Sequence, residues 1–185
     1  DGRDVIGFGA GEPDFATPDL VCQAAIDAIS DGMTHYVPVP GTPAAREAVA
    51  EQFRVANGIE CTSNDIIISN GGKCSLYLAL QALVNEGDEV ILPVPAWVSY
   101  KPMVQLAGGR LVEVQTTAQN HFLASAESID AAITDHTRVV ILNSPSNPCG
   151  TMYTPAQIAS ICDVIAKHEH ITLISDEIYD QLVYG

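Results

Sequence analysis

The sequence predicts an α/β fold, a three-layer sandwich in which helices cover both faces of a mostly parallel sheet. Three observations point there. From Ile66 onward, short and nearly all-apolar runs alternate with longer stretches of helical period. The strand-length runs do not alternate apolar with polar, as a strand with one wet face does, so both faces need cover. Loops rich in glycine, asparagine or proline follow the carboxyl ends of several of these strands, which is where open α/β sheets bind ligands.

The elements follow in order. Val5 to Gly11 carries glycines at 7, 9 and 11, superficially a dinucleotide loop, but Glu12-Pro-Asp-Phe stands where the helix of such a loop must begin. An extended segment whose glycines admit close backbone approach is the alternative. From Thr17 to Ser30, Val21, Ala24, Ala25, Ala28 and Ile29 share a helical face, with Gly32 as the stop. The proline-rich stretch Thr34 to Gly41 reads as a loop that leaves Tyr36 exposed or borrowed by a neighbour. A second helix opens at Thr42 and Pro43 and ends at Gly58. Then come a strand Ile66–Ser69, a helix Lys73–Val84, a strand Glu89–Leu92, a helix Trp97–Leu106 and a strand Arg110–Val114. A helix Ala126–Ile133, a strand Arg138–Leu142, a helix Pro155–Ala166 opened by Thr154, and a strand from Ile171 complete the series. No repeat and no linker interrupts it, so one domain is expected.

Composition narrows the function. With 185 residues, 47% of them hydrophobic, and a mean hydropathy of +0.17, the chain holds enough apolar material for a substantial core. A formal charge of −15, from 8 basic and 23 acidic residues, argues against electrostatic binding of nucleic acid and suits a solvated acidic surface. No apolar segment approaches the roughly 20 residues of a membrane helix, and the start Asp1-Gly-Arg-Asp is no signal peptide. A cytoplasmic protein is the expectation. The 5 cysteines are odd in number and form no Cys-x-x-Cys, which suits reduced thiols. His168 and His170 flank Glu169 in what reads as a surface turn, so no metal site is expected.

The run Ile171 to Tyr179 carries the chemistry: a buried strand ends in Asp176, with Tyr179 three residues on. Gly71-Gly72-Lys73 joins a strand to a helix, so free N–H groups and the positive helix end form a phosphate cradle, although Gly-Gly also serves as a plain turn. Asn147, held by the following proline, can donate to an oxygen anion or simply shape a turn. Trp97, the single tryptophan, can stack on a flat ring or fill the core. Asp176 alone also reads as a helix cap.

Together these residues resemble the class I/II, fold-type I pyridoxal-phosphate aminotransferases, nearest the aspartate and prephenate branch. Gly11-Glu-Pro-Asp-Phe, Tyr36 before Gly41, Asn70-Gly-Gly-Lys73, Gly87-Asp-Glu-Val90, Pro95-Ala-Trp97, Asn143-Ser-Pro-Ser-Asn-Pro-Cys-Gly150 and Ser175-Asp-Glu-Ile-Tyr179 stand in the family's order along the whole chain. The resemblance implies that Asp176 faces the pyridine nitrogen of pyridoxal 5′-phosphate and keeps it protonated. It implies that Tyr179 and Asn147 hydrogen-bond the ring's phenolic oxygen, that Trp97 stacks on the ring, and that Gly71, Gly72 and Lys73 hold the phosphate. Tyr36 resembles the tyrosine that reaches the partner subunit's phosphate, which implies a homodimer. Gly11, Trp97 and Asn147 would meet the substrate. Lys73 resembles a lysine that meets the side-chain carboxylate of dicarboxylic substrates; a solvent-facing lysine is the alternative. Cys149 departs from the family's usual threonine. As in relatives, Val94–Pro95 and Asn147–Pro148 are candidate cis bonds.

The family's Schiff-base lysine and its carboxylate-gripping arginine have no counterpart among residues 1–185. The expectation is a partial large, cofactor-binding domain with its N-terminal segment, drawn from an enzyme about twice as long and inactive alone; Lys73, Lys101 and Lys167 do not occupy the nucleophile's place. The same fold also serves C–S lyases and other lyases. Aminotransferase-like domains act, too, as effector-binding modules of transcription regulators.

Overall fold

A computed structural model of the chain describes residues 11–13 and 15–184. Its contacts divide the chain into two compact units, residues 1–67 and 68–185, although no glycine- or serine-rich linker marks the boundary.

In the first unit, helix α1 spans Asp19–Ser30 after Pro18 and has no side-chain cap. Its apolar face forms as the spacing predicts, yet no residue of α1 is buried; Leu20 is 83% exposed. Helix α2 spans Pro43–Gln52, and the Thr42 side chain accepts from Ala45 N at 3.3 Å. The helix runs on through one π-helical turn, Phe53–Asn57, and closes at Gly58, whose φ of +66° is the left-handed value that suits glycine. Arg54 secures this end by reaching Glu47, Glu51 and the Cys61 carbonyl.

The expected strand Ile66–Ser69 does not form. Ile66 has extended dihedrals, but no residue of the run joins a ladder, and Ile67 is 71% exposed. A strand exists only through its partner. An apolar run supplies the propensity but not the neighbour.

The second unit is built on a four-stranded parallel sheet of order β2-β1-β3-β4, with β1 at Glu89–Val94, β2 at Arg110–Gln115, β3 at Thr137–Asn143 and β4 at Thr172–Asp176. Helices α3 (Gly72–Leu83) and α4 (Tyr100–Leu106) pack on one face, α5 (Ala126–Asp130) and α6 (Pro155–Ile165) on the other. Direction explains the split. The chain steps from β1 outward to β2, then back past β1 to β3 and on to β4. Crossovers of one hand must change face when the direction reverses.

The two central strands feed two cores. Val90, Leu92, Val139 and Ile141 join Leu76, Leu80, Tyr100 and Val104 on one side. Ile91, Val140 and Leu142 join Ile129, Ile161 and Ile165 on the other. This period of two explains why β1 and β3 are apolar on both faces. Each of these side chains contributes about 1.5–3 kcal/mol on burial. β4 differs from expectation: read as a buried strand, it is only partly covered, because among the described residues it pairs on one side alone. Gly109 fits tightly behind this core; a Cβ there would stand 2.6 Å from Val84 Cγ1.

Candidate active site

The topology locates the site before any side chain does. From β1 the chain turns one way to β2, while β3 lies on β1's other side. The carboxyl ends of β1 and β3 therefore straddle a switch point, where parallel sheets open a crevice. Into it lead the loop Pro95–Ser99 after β1 and the loop Ser144–Thr154 after β3. Among the described residues, Val94–Pro95, Ser144–Pro145 and Asn147–Pro148 are cis; the first and third match the sequence reading, and the second was not anticipated.

At the end of β4, Asp176 falls on the face shared by Val139, Ile141 and Ile174. Its carboxylate is held at both oxygens. The Tyr100 hydroxyl donates to Oδ2 at 2.7 Å, and Ile178 N–H donates to Oδ1 at 3.2 Å. The second bond closes a turn two residues ahead; no helix follows Asp176 among the described residues, so the helix cap that its sequence position allowed does not form. The first bond is not local, since 76 residues separate the partners. Tyr100 is 1% exposed. Burial above all, and then the hydrogen bond to Asp176, push its phenol far above the ordinary tyrosine range. Tyr100 therefore stays protonated and stays the donor.

The neighbouring strand adds a second tie. Register sets Asn143 of β3 beside Asp176 of β4. The Asn143 amide donates to the Asp176 carbonyl at 3.0 Å, and its Oδ1 accepts from Asn147 N at 2.8 Å. Asn147 in turn donates to the Tyr179 hydroxyl at 3.5 Å. One asparagine thus links the backbone of Asp176 to the backbone of Asn147.

The start of α3 closes the other side. Gly71 has φ +83° and open space where a Cβ would stand. Cys74 and Ser75 N–H bond the Gly71 carbonyl, while the N–H groups of Gly72 and Lys73 have no carbonyl four residues back within the helix. A Cβ on Gly72 would lie 4.0 Å from Ile178 Cδ1, so this helix start adjoins the turn after β4. Lys73 Nζ sits 5.1 Å above the Trp97 ring, and Trp97 meets Tyr100 edge to face at 5.4 Å. Beside Asn147 lies a small cleft lined by Leu92, Pro95, Phe122, Asn143 and Tyr153. Burial pushes the Cys149 thiol up, so it is not a ready thiolate.

Of the residues singled out in the sequence, Gly71, Gly72, Lys73, Trp97, Asn147, Asp176 and Tyr179 converge here through this chain of contacts. Tyr36 and Gly11 belong to the first unit; Tyr36 is fully exposed and Gly11 is exposed. The glycines at 7 and 9, and Asp14 of the Gly11–Phe15 motif, lie outside the described residues. His168 and His170 stack edge to face, and no metal-holding cluster exists among the described residues. Two residues escaped the sequence reading. Tyr100 follows Trp97 by three positions, the spacing that puts two side chains on one helical face. Asn143 heads the very motif that contains Asn147.

Comparison with known proteins gives a consistent pattern. The family model described as aminotransferase class I and II matches residues 3–185. An aspartate aminotransferase of Bacillus sp. (strain YM-2) is 48% identical over 184 residues, covering 100% of this chain and 47% of that protein. An aspartate/prephenate aminotransferase of Cereibacter sphaeroides is 48% identical over 99% of this chain and 46% of its own length. The crystal structure of the aspartate aminotransferase from Rhizobium meliloti superposes with a TM-score of 0.93 at 42% identity, over 96% of this chain and 44% of that one. An aromatic aminotransferase from Pyrococcus horikoshii OT3 also gives 0.93, at 39% identity, over 100% of this chain and 49% of that one. The chain spans about half the length of the curated relatives it matches.

Proposed function

Because the chain belongs to the class I and II aminotransferases, we propose that the whole protein moves an amino group between an amino acid, aspartate or another acidic one, and a 2-oxo acid, with pyridoxal 5′-phosphate as cofactor. The observation that carries this reading is the doubly held carboxylate of Asp176 at the carboxyl end of β4, beside the end of β3 that borders the switch point. When bound, such a cofactor supplies an electron sink for the charge left on the substrate's α-carbon.

The residues fit it. A flat, phosphate-bearing pyridine needs an anion cradle, a carboxylate for its ring nitrogen, donors for its phenolic oxygen and an apolar face. Gly71 leaves open space at a helix start whose first N–H groups lack partners within the helix. We assign the phosphate to Gly71, Gly72 and Lys73, the ring nitrogen to Asp176, the phenolic oxygen to Tyr179 and Asn147, and the ring face to Trp97. Lys73, Trp97, Asn147 and Gly11 are assigned to substrate. Lys73 has its ammonium beside Trp97, free to turn toward a second carboxylate.

We further propose a homodimer in which Tyr36 serves the partner's phosphate; the exposed apolar side chains of α1, which bury nothing, support a covered surface there. Residues 1–185 form part of the large domain. The 5 free cysteines suit a reducing cytoplasm, and no described helix is long and apolar enough to cross a membrane.

The test is the absorbance spectrum of the full-length protein with pyridoxal phosphate, followed by aspartate and then 2-oxoglutarate. A cofactor band that shifts with aspartate and recovers with 2-oxoglutarate supports the reading. A band that ignores aspartate refutes it and favours a lyase or an effector-binding module. The aromatic aminotransferase at 39% identity is the reason to run phenylalanine in parallel.

A further inference from the structure

We propose that Tyr100 is a positioning residue for the cofactor site: its hydroxyl fixes the Asp176 carboxylate in the orientation in which that carboxylate receives the cofactor's ring N–H. The inference rests on the assignment of Asp176 made above.

The geometry argues this from Tyr100's own surroundings. A tyrosine that only filled the core would bury its ring and send its hydroxyl to water or to a backbone carbonyl. Tyr100 is 1% exposed and spends its one proton on a side-chain oxygen 76 residues away, at 2.7 Å. The distance is that of a charge-assisted O–H···O bond. Its ring is clamped as well: Trp97 meets it edge to face at 5.4 Å, and Leu76, Leu80, Met103 and Val104 share its core. The hydroxyl is therefore delivered by a rigid group, not by a mobile chain.

The carboxylate needs such a tie. Asp176 is the last residue of β4. The Ile178 N–H holds Oδ1 from the adjacent turn at 3.2 Å, and a single bond still lets a carboxylate rotate about χ2. The second bond, at Oδ2, fixes its plane. Each oxygen keeps a further lone pair for an incoming donor. Burial and the neighbouring carboxylate both keep the phenol protonated, so the tie holds across the working pH range. Trp97, assigned to the ring face, braces the tyrosine that orients the carboxylate assigned to the ring nitrogen. The two assignments are thus mechanically one.

A double-mutant cycle on the full-length protein tests this, with Tyr100→Phe and Asp176→Asn singly and together. Tyr100→Phe keeps the ring and its packing and deletes only the hydroxyl. The readouts are the dissociation constant for pyridoxal phosphate, the pH titration of the bound cofactor's absorption band, and Tm. The expected result is that Asp176→Asn weakens cofactor retention and shifts the titration, and that Tyr100→Phe does the same at about tenfold in the dissociation constant, as loss of one hydrogen bond to a charged group implies. In the Asp176→Asn background Tyr100→Phe should then add less than about twofold, because its effect runs through that carboxylate. If Asp176→Asn acts but Tyr100→Phe changes retention and titration by less than about twofold, or moves Tm alone, the tyrosine is only structural and the inference falls. If Asp176→Asn itself leaves retention and titration unchanged, the assignment of Asp176 falls and takes the inference with it.

Discussion

Asn143 offers the sharpest perturbation, because a single amide joins two parts of the candidate site. Asn143→Ala removes the donor to the Asp176 carbonyl at 3.0 Å and the acceptor for Asn147 N at 2.8 Å. The Asp176 carbonyl keeps its bond from Ser144 N at 3.1 Å, so the end of the β3–β4 pairing survives. Asn147 N–H gains no such substitute. Losing two neutral hydrogen bonds and stranding one donor in a half-buried loop costs about 2 kcal/mol. Where about 150–250 residues melt together, that lowers Tm by about 4–8 °C. The consequence at the site is larger than the stability loss, since Asn147 is freed to move while Asp176 keeps its side-chain ties; cofactor retention should weaken by about tenfold. Asn143→Asp is the control: it keeps an acceptor for Asn147 N but sets an oxygen against the Asp176 carbonyl, so it should lower Tm while retaining more of the cofactor affinity than alanine does. Thermal melts and pyridoxal phosphate titration of the full-length protein read both. A Tm within about 1 °C of the parent, with affinity unchanged, would refute the bridging role.

Gly109→Ala should destabilise by about 1–3 kcal/mol through overpacking, because its Cβ would meet Val84 Cγ1 at 2.6 Å, Val104 Cγ1 at 3.3 Å and the Asp88 carbonyl at 3.4 Å. Adding Val84→Ala should restore part of that loss, whereas additive melts in the cycle would show the clash is not with Val84. Above about pH 10, stability should fall. Burial holds the Tyr100 and Tyr153 phenols above the ordinary value of 10.0, so the folded state keeps protons that the unfolded chain releases and loses ground as pH rises. Tm between pH 8 and pH 11.5 should drop more steeply for the parent than for Tyr153→Phe, and parallel slopes would rule out this linkage. Lys73→Met should raise KM for aspartate by about tenfold or more, as loss of a charge-assisted bond does, while sparing monocarboxylic amino acids; an equal effect on both classes would leave Lys73 with the phosphate alone.

Much of the fold was legible because it is local. Thr42 and Thr154 cap their helices through bonds to residues three ahead, a geometry the sequence carries within one turn. The apolar runs at Glu89–Leu92 and Arg138–Leu142 declare buried strands by composition. Where the reading slipped, the deciding force came from elsewhere in the chain. The helix foreseen from Trp97 begins at Tyr100, with Trp97 left in the connecting loop against the Tyr100 ring. The run Ile66–Ser69 has strand propensity and no ladder. β4 is a strand, as expected, but among the described residues it has a neighbour on one side alone.

What the sequence determined by itself is therefore the alphabet of the site: a glycine-opened helix start at Gly71 to Lys73, a tryptophan two residues after Pro95, an asparagine at 147 and an acid with a tyrosine at 176 and 179. Each sits at the end of an element whose local signals are strong. Only the tertiary structure decided how they are joined. The β2-β1-β3-β4 order brings Asn143 level with Asp176, and packing of α4 on that face brings Tyr100 to the same carboxylate. Apolar strands are interchangeable as neighbours until register and crossover direction choose among them. The partners of a polar side chain at a strand end follow from that choice and are written nowhere near it in the chain.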